Sequence, residues 1–292
     1  MKLVSFEQGG RERIGSLHEG VITDLTEGLA GRPLTMIDLL GMGENGLEMA
    51  ARAETRKLPR IALNEVNLLA PVPRPGKYLG VGGNFESHLQ EAAHLGLKRP
   101  QFPIWFNKQT TCVTGPFAPI HLPRVSAQLD YECELGIVIG RRCRHVRIEE
   151  ALDVVAGYVV CNDVSVRDWQ LRSPTATLGK SFDTHGPFGP WLVTKDEVAD
   201  PQALRIRTWV NGELRQDGST SEMLFSCAAL IADLSQVCTL EPGDVLATGS
   251  PSGCGGLRNP PAYLRSGDVV RMEIQRVGVI ENSVIDEPVR AQ

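Results

Sequence analysis

The stretch Leu129-Asp130-Tyr131-Glu132-Cys133-Glu134-Leu135-Gly136-Ile137-Val138-Ile139-Gly140 decides how this chain is read. It predicts a buried β-strand, apolar and largely β-branched. Side chains alternate faces along a strand, so Glu132 and Glu134 share one face. Two like charges in such a place repel each other and lose hydration. A cation between them relieves both costs. A third carboxylate, Asp163, ends the next apolar run, Gly157-Tyr158-Val159-Val160-Cys161-Asn162-Asp163. Oxygen donors without a thiol or imidazole pattern point to a hard divalent ion, Mg²⁺ or Mn²⁺. The same glutamates would also suit a solvent-facing strand or bridges to arginines.

Composition narrows the classes. The chain has 292 residues, 42% of them hydrophobic and 22% charged, with a formal net charge of -5. These values fit a globular protein with a sizeable core and give no footprint for nucleic acid or an anionic membrane. The seven cysteines include no C-x-x-C pair, which disfavours a disulfide framework or a zinc ribbon. No secretory signal and no apolar run of about 20 residues is visible, so the expected location is cytoplasmic.

Lys2 to Phe6, Ile14 to Leu17 and Val21-Ile22 read as a β-meander. Thr35 to Leu40 and Gly46 to Arg56 read as helices. Pro71, Pro73 and Pro75 then suggest a boundary, giving a small N-terminal domain over 1–70 and a main domain over 71–292. Beyond the prolines the texture is β-rich. Strands are expected at Tyr78 to Val81, Ile104 to Phe106, Cys133 to Ile139, Val154 to Val160, Trp191 to Thr194, Ile206 to Val210, Val245 to Ala247 and Val269 to Ile274. Helices are expected at Ser87 to His94, part of Ile148 to Val155, and Ser226 to Leu234. The pairing is expected to be mostly antiparallel.

Two nucleotide-binding motifs fail. Gly179-Lys180-Ser181 looks like the end of a P-loop, but Pro174 stands where its first glycine belongs. Gly80-Val81-Gly82 begins a dinucleotide fingerprint, but Phe85 replaces the third glycine. Other segments survive. His88 and Glu91 are three apart on a predicted helix, and a carboxylate beside an imidazole makes a general base for water; an ordinary surface pair has the same spacing. Ser87 and Gln90 have capping-box spacing. Arg167 and Gln170 are placed to reach a substrate or to tie down their loop. Lys180 suits a developing oxyanion or simple charge balance. Thr248 opens a glycine-rich loop, Thr248 to Gly256, whose amides can cradle an anion or merely turn.

Taken in order, Val81 to Glu91, Tyr131 to Gly140, Gly157 to Gln170, Gly179 to Trp191, Asn211 to Ser221 and Leu240 to Gly255 resemble the fumarylacetoacetate hydrolase family. The resemblance implies a mainly β (α+β) fold: a folded β-roll catalytic domain with a small N-terminal α/β domain. It implies Mg²⁺ or Mn²⁺ held by Glu132, Glu134 and Asp163, a His88–Glu91 dyad on a closing helix, and Lys180 in the active site. Family members are commonly homodimers. Two motifs depart from the family pattern. The usual G-L-N-Y is Gly82-Gly83-Asn84-Phe85 here, and T-G-T-P is Thr248-Gly249-Ser250-Pro251.

The activity this implies is metal-dependent cleavage of the C–C bond of a 2,4-dioxo acid, to pyruvate and a carboxylic acid. His88 and Glu91 would activate water, Lys180 would meet the oxyanion, and Arg167, Gln170 and Thr248 would bind the small oxo acid. Two alternatives rest on the same chelate: a tautomerase or isomerase of 2-hydroxy-2,4-dienoates, and an oxaloacetate decarboxylase. A non-catalytic binder with a relict site is the alternative of another class.

Overall fold

A computed structural model describes residues 1–27, 33–53, 55–96 and 98–289. Residue 54, within the helix expected to reach Arg56, lies outside them; the helix is described over Glu44–Ala53. The fold is mainly β, with mixed sheets.

The strand Cys133–Ile139 is fully buried along its length, as is its neighbour Val155–Asn162. They pair antiparallel, Glu134 opposite Cys161. Cys133, Leu135, Ile137 and Ile139 face a core shared with Ile206, Met272, Ile280 and Val284 from a second, five-stranded sheet. Val138 faces the opposite way, into a core with Val159, Cys161, Val245 and Leu3. Alternation thus buries both faces and leaves Glu134, on the Val138 side, at the strand's polar end. Glu132 lies one residue before the strand proper. The chain breaks at Tyr131-Glu132 because the Glu132 amide bonds the Asn162 side chain at 3.2 Å instead of continuing a ladder.

The principal sheet has twelve strands. Val245–Ala247 pairs parallel to Tyr78–Gly82, so the pairing is less uniformly antiparallel than expected. The sheet also runs across residue 71: Lys2 pairs with Val193 and Leu3 with Leu192, joining the N-terminal meander to the strand Gly186–Thr194. Two of the longer strands have no clear signature in the sequence. Glu213–Ser219 is a polar edge strand. Gly278–Asp286 points a buried polar residue, Asn282, inward, where its amide donates to the Ala118 carbonyl at 2.8 Å.

His185 is fully buried beside this sheet. Its Nε2 donates to the His121 carbonyl at 2.8 Å, and its Nδ1 has no partner among the described residues. Burial pushes its pKa down to about 3. The unfolded chain, with an ordinary value near ~6.5, takes up the proton first as pH falls. The stability due to neutral His185 is therefore complete above about pH 6.5 and is lost progressively toward pH 3. Between pH 7 and pH 5 we expect wild type to lose about 2 kcal/mol more than His185→Asn. Urea denaturation at the two pH values measures it; parallel losses in both proteins would refute the assignment.

Candidate active site

Glu132, Glu134 and Asp163 converge, each offering one carboxylate oxygen within 4.8 Å of the others, and all three are buried. Asp163 reaches the cluster because the strand Val155–Asn162 ends one residue earlier and its amide bonds the Glu132 carbonyl at 2.9 Å.

Three cations surround these carboxylates. Lys180, from the 3₁₀ turn Thr177–Lys180, sets Nζ 2.8 Å from Glu132 Oε2 and 2.5 Å from Asp163 Oδ2. Lys108, fully buried at the end of the strand Ile104–Lys108, lies 2.6 Å from Asp163 Oδ1. Arg167 opens the single-turn helix Arg167–Gln170, 2.6 Å from Glu132 Oε1 and 2.7 Å from Asp130 Oδ2. Burial works against the charge on Glu132, but Lys180 and Arg167 outweigh it and hold the carboxyl below the usual range. Burial likewise opposes the charge on Lys180, yet Asp163 and Glu132 keep it firmly protonated.

Glu134 differs. It makes no ion pair among the described residues and accepts from the Gly249 amide at 2.8 Å. Burial, then Asp163 and Glu132, push its pKa well up. Buried oxygen donors with one carboxylate lacking a cationic partner fit a hard divalent cation. Gly249, at φ +96, can approach because a Cβ there would sit 2.8 Å from the Asn84 Cβ.

The glycine-rich loop behaves differently from an open anion cradle. Its amides serve the protein's own carboxylates: Gly255 and Gly256 donate to Asp130, each at 2.8 Å, and Gly253 donates to Glu91 at 3.0 Å. Thr248 does not reach the cavity. It is fully buried, and its hydroxyl donates to the Leu135 carbonyl at 2.9 Å, tying the loop to the strand. Ser250 lines the cavity instead.

The helix Glu86–Glu91 stands over the cluster. Its entry turns at Gly83, φ +63, a conformation glycine adopts without penalty. The capping box expected at Ser87 is absent. Phe85 is the N-cap without a side-chain bond, and Ser87 is already helical. Asn84 fixes the entry instead, its amide donating to the Thr248 carbonyl at 2.7 Å. His88 lines the cavity, and its buried Nδ1 has no partner among the described residues. Burial lowers its pKa, with Glu132 pulling the other way, so a neutral imidazole is available as a base. Glu91, expected to orient it, turns both oxygens toward the Gly253 amide, at 3.0 and 3.2 Å.

The cavity enclosing His88, Glu132, Glu134, Arg167, Gln170 and Lys180 has a volume of about 360 Å³. Larger surface hollows of about 600 and 750 Å³ lie elsewhere, without the carboxylate cluster. Gln170 accepts from Arg167 Nη1 at 2.9 Å. Sequence reasoning missed Lys108 and Asp130. Lys108 had a signal: it shares strand parity with Phe106, which faces the interior. Asp130 had none beyond its place in the decisive stretch.

Residues 77–285 match the family model described as fumarylacetoacetate (FAA) hydrolase, C-terminal. The chain belongs to the fumarylacetoacetate hydrolase family. It is 43% identical to oxaloacetate tautomerase Fahd2a, mitochondrial, of Rattus norvegicus, over 98% of this chain and 92% of that protein. Maleylpyruvate hydrolase from Sphingobium sp. SYK-6, solved with manganese(II) and pyruvate, superposes with a TM-score of 0.82 at 33% identity, covering 99% of this chain and all of that one. The 2-hydroxyhepta-2,4-diene-1,7-dioate isomerase from Mycobacterium marinum gives 0.78 at 31%, with the same coverage. Membership makes this chain one of a family of enzymes whose named activities include tautomerisation, hydrolysis and isomerisation of related acids. No helix among the described residues is long and apolar enough to cross a membrane.

Proposed function

We propose that this enzyme is a divalent-metal-dependent tautomerase of oxaloacetate-type 2-oxo acids, interconverting keto and enol forms. The observation that carries this reading is the His88 imidazole at the cavity, kept neutral by burial, with Glu91 engaged by Gly253. A tautomerase needs one base for one carbon-bound proton; a hydrolase also needs an oriented, activated water. The identity with a full-length oxaloacetate tautomerase supports the same choice.

In this reading the His88 imidazole, which lines the cavity, takes a proton from C3 of the 2-oxo acid. The C3–H electron pair becomes the C2=C3 double bond, and the proton held by His88 is delivered to the former C2 carbonyl oxygen, which gives the enol and restores the neutral imidazole. Lys180 and Arg167 keep positive charge beside the developing oxyanion, and Gln170 holds Arg167 in place. Glu132, Glu134 and Asp163 are the residues that would hold Mg²⁺ or Mn²⁺, whose Lewis acidity favours the enolate when bound.

The second reading, C–C cleavage of a 2,4-dioxo acid, is favoured by the resemblance to the maleylpyruvate hydrolase. One assay separates the two. With Mg²⁺, the enol form of oxaloacetate is expected to ketonise rapidly, and EDTA should slow this by at least about 100-fold, the effect of several kcal/mol of charge stabilisation. Pyruvate released from an acylpyruvate, with no acceleration of ketonisation, would replace the tautomerase by the hydrolase. Binding without turnover of either substrate would leave the relict.

A further inference from the structure

The polar edge strand Glu213–Ser219 buries one side chain, Gln216, which is 1% exposed, while Leu214 is 47% exposed. In a regular strand the two would share a face. A bulge separates them. Thr208 pairs with Gln216 and Trp209 with Leu214, so Arg215 is the extra residue. Bulges re-aim side chains and are frequent beside active sites. Here the bulge sends Gln216 into the gap where the strand Val245–Ala247 parts from the strand Cys133–Ile139. Those two pair only from Gly136 to Val138, so the Cys133 amide lies beyond their ladder. It donates to Gln216 Oε1 at 3.1 Å, and the Thr208 hydroxyl donates to the same oxygen at 2.7 Å. Across the gap, Gln216 Nε2 donates to Ser250 Oγ at 2.8 Å and to the Pro251 carbonyl at 2.9 Å.

Both donors and both acceptor sites of this amide are therefore used. Its orientation follows from its partners, since a backbone N–H demands the oxygen and a carbonyl demands the nitrogen. The group stands in for a missing peptide unit between strand and loop. Its two ends meet the places that set the carboxylate cluster. Cys133 lies between Glu132 and Glu134, and Ser250 follows Gly249, whose amide donates to Glu134 Oε2. Strand and loop also touch directly, for a Cβ on Gly253 would clash with the Arg215 carbonyl. An apolar side chain of the same length would fill the gap but leave the Cys133 N–H and the Pro251 carbonyl unpaired.

We infer that Gln216 is a positioning residue for the divalent-metal site. It fixes the spacing between the backbone that carries Glu132 and Glu134 and the loop that holds Glu134. Gln216 is not in the cavity lining and acts through Cys133 and the loop. The inference rests on reading Glu132, Glu134 and Asp163 as a metal site, not on the choice between tautomerase and hydrolase. Removing a group that holds metal ligands in place without touching the ion typically weakens metal binding about 10- to 100-fold.

The test uses the full chain, freed of metal with EDTA and titrated with Mn²⁺, the free ion being counted by electron paramagnetic resonance. Gln216→Met keeps the length of the side chain and removes its hydrogen bonds. Its Mn²⁺ dissociation constant is expected to rise about 10- to 100-fold. Asn282→Leu is the control. Asn282 is a fully buried amide of the same sheet, and its carbonyl partners at Ala118 and Pro116 lie outside the cavity lining. That variant should lose stability in melting curves and keep its Mn²⁺ affinity. If Gln216→Met does not fold, Thr208→Val takes its place. It removes one of the two donors to Oε1 with little change of shape, and should raise the constant at least about threefold. A folded variant of this pair that binds Mn²⁺ as wild type does, or an equal loss in Asn282→Leu, would overturn the assignment. Wild type that binds no Mn²⁺ would overturn the metal reading and this inference with it. A weakened Mn²⁺ site in an enzyme that ketonises nothing would remove only the tautomerase.

Discussion

Replacing His88 by alanine is expected to slow tautomerisation by about 10²- to 10⁴-fold while leaving 2-oxo acid affinity within a few-fold of wild type. That is the span a positioned general base contributes. The imidazole lines the cavity, its buried Nδ1 meets no partner among the described residues, and burial keeps it neutral at ordinary pH. Among the described lining residues, Glu134 is assigned to the metal, and two others are committed to ion pairs. Lys180 is held protonated by Asp163 and Glu132, and Glu132 is held ionised, committed to Lys180 and Arg167. The companion Glu91→Gln separates the two chemistries. A tautomerase should lose little, because Glu91 is bound to the Gly253 amide. A hydrolase that depends on Glu91 to orient the base should lose nearly as much as His88→Ala. Unchanged turnover in His88→Ala would remove the imidazole from the mechanism.

Lys108→Met should be the most destabilising single change in the site. The lysine is fully buried and 2.6 Å from Asp163 Oδ1, so its removal leaves a buried carboxylate short of one counter-charge. Breaking one side of such a pair costs about 3–5 kcal/mol. The loss should shrink when Mg²⁺ or Mn²⁺ is added, and by more than the same metal stabilises wild type. A divalent ion bound only by the folded state supplies charge where the lysine did. Urea denaturation with and without metal reads both quantities. A variant within about 1 kcal/mol of wild type in metal-free buffer would show that Lys108 does not counter Asp163.

Much of this architecture was legible because it depends on local alternation. Cys133 to Ile139 and Val269 to Ile274 are strands where the apolar period says so, and the two glutamates fall together because they are two residues apart. The contacts of the aspartates around those glutamates were harder. Lys108 and Asp163 are 55 residues apart in sequence, and Asp130 meets Gly255 across 125. No periodicity carries such information; it comes from sheet order. Thr248 shows the converse error. A hydroxyl beside glycines suggested a ligand contact, yet burial spent it on a backbone carbonyl. Ser87 shows another, since spacing alone cannot reveal that the helix has already begun at Glu86.

The loop from Gly249 to Gly256 works as a keystone. Its amides are shared among Glu134, Glu91 and Asp130, groups from the strand, the overlying helix and the Arg167 anchor. Lengthening this arch by one residue would shift all three at once, whereas the cavity rim around the exposed Leu171 can vary alone. Changes should therefore be cheap at the mouth and expensive at the arch, so that one electrostatic frame can serve many acids.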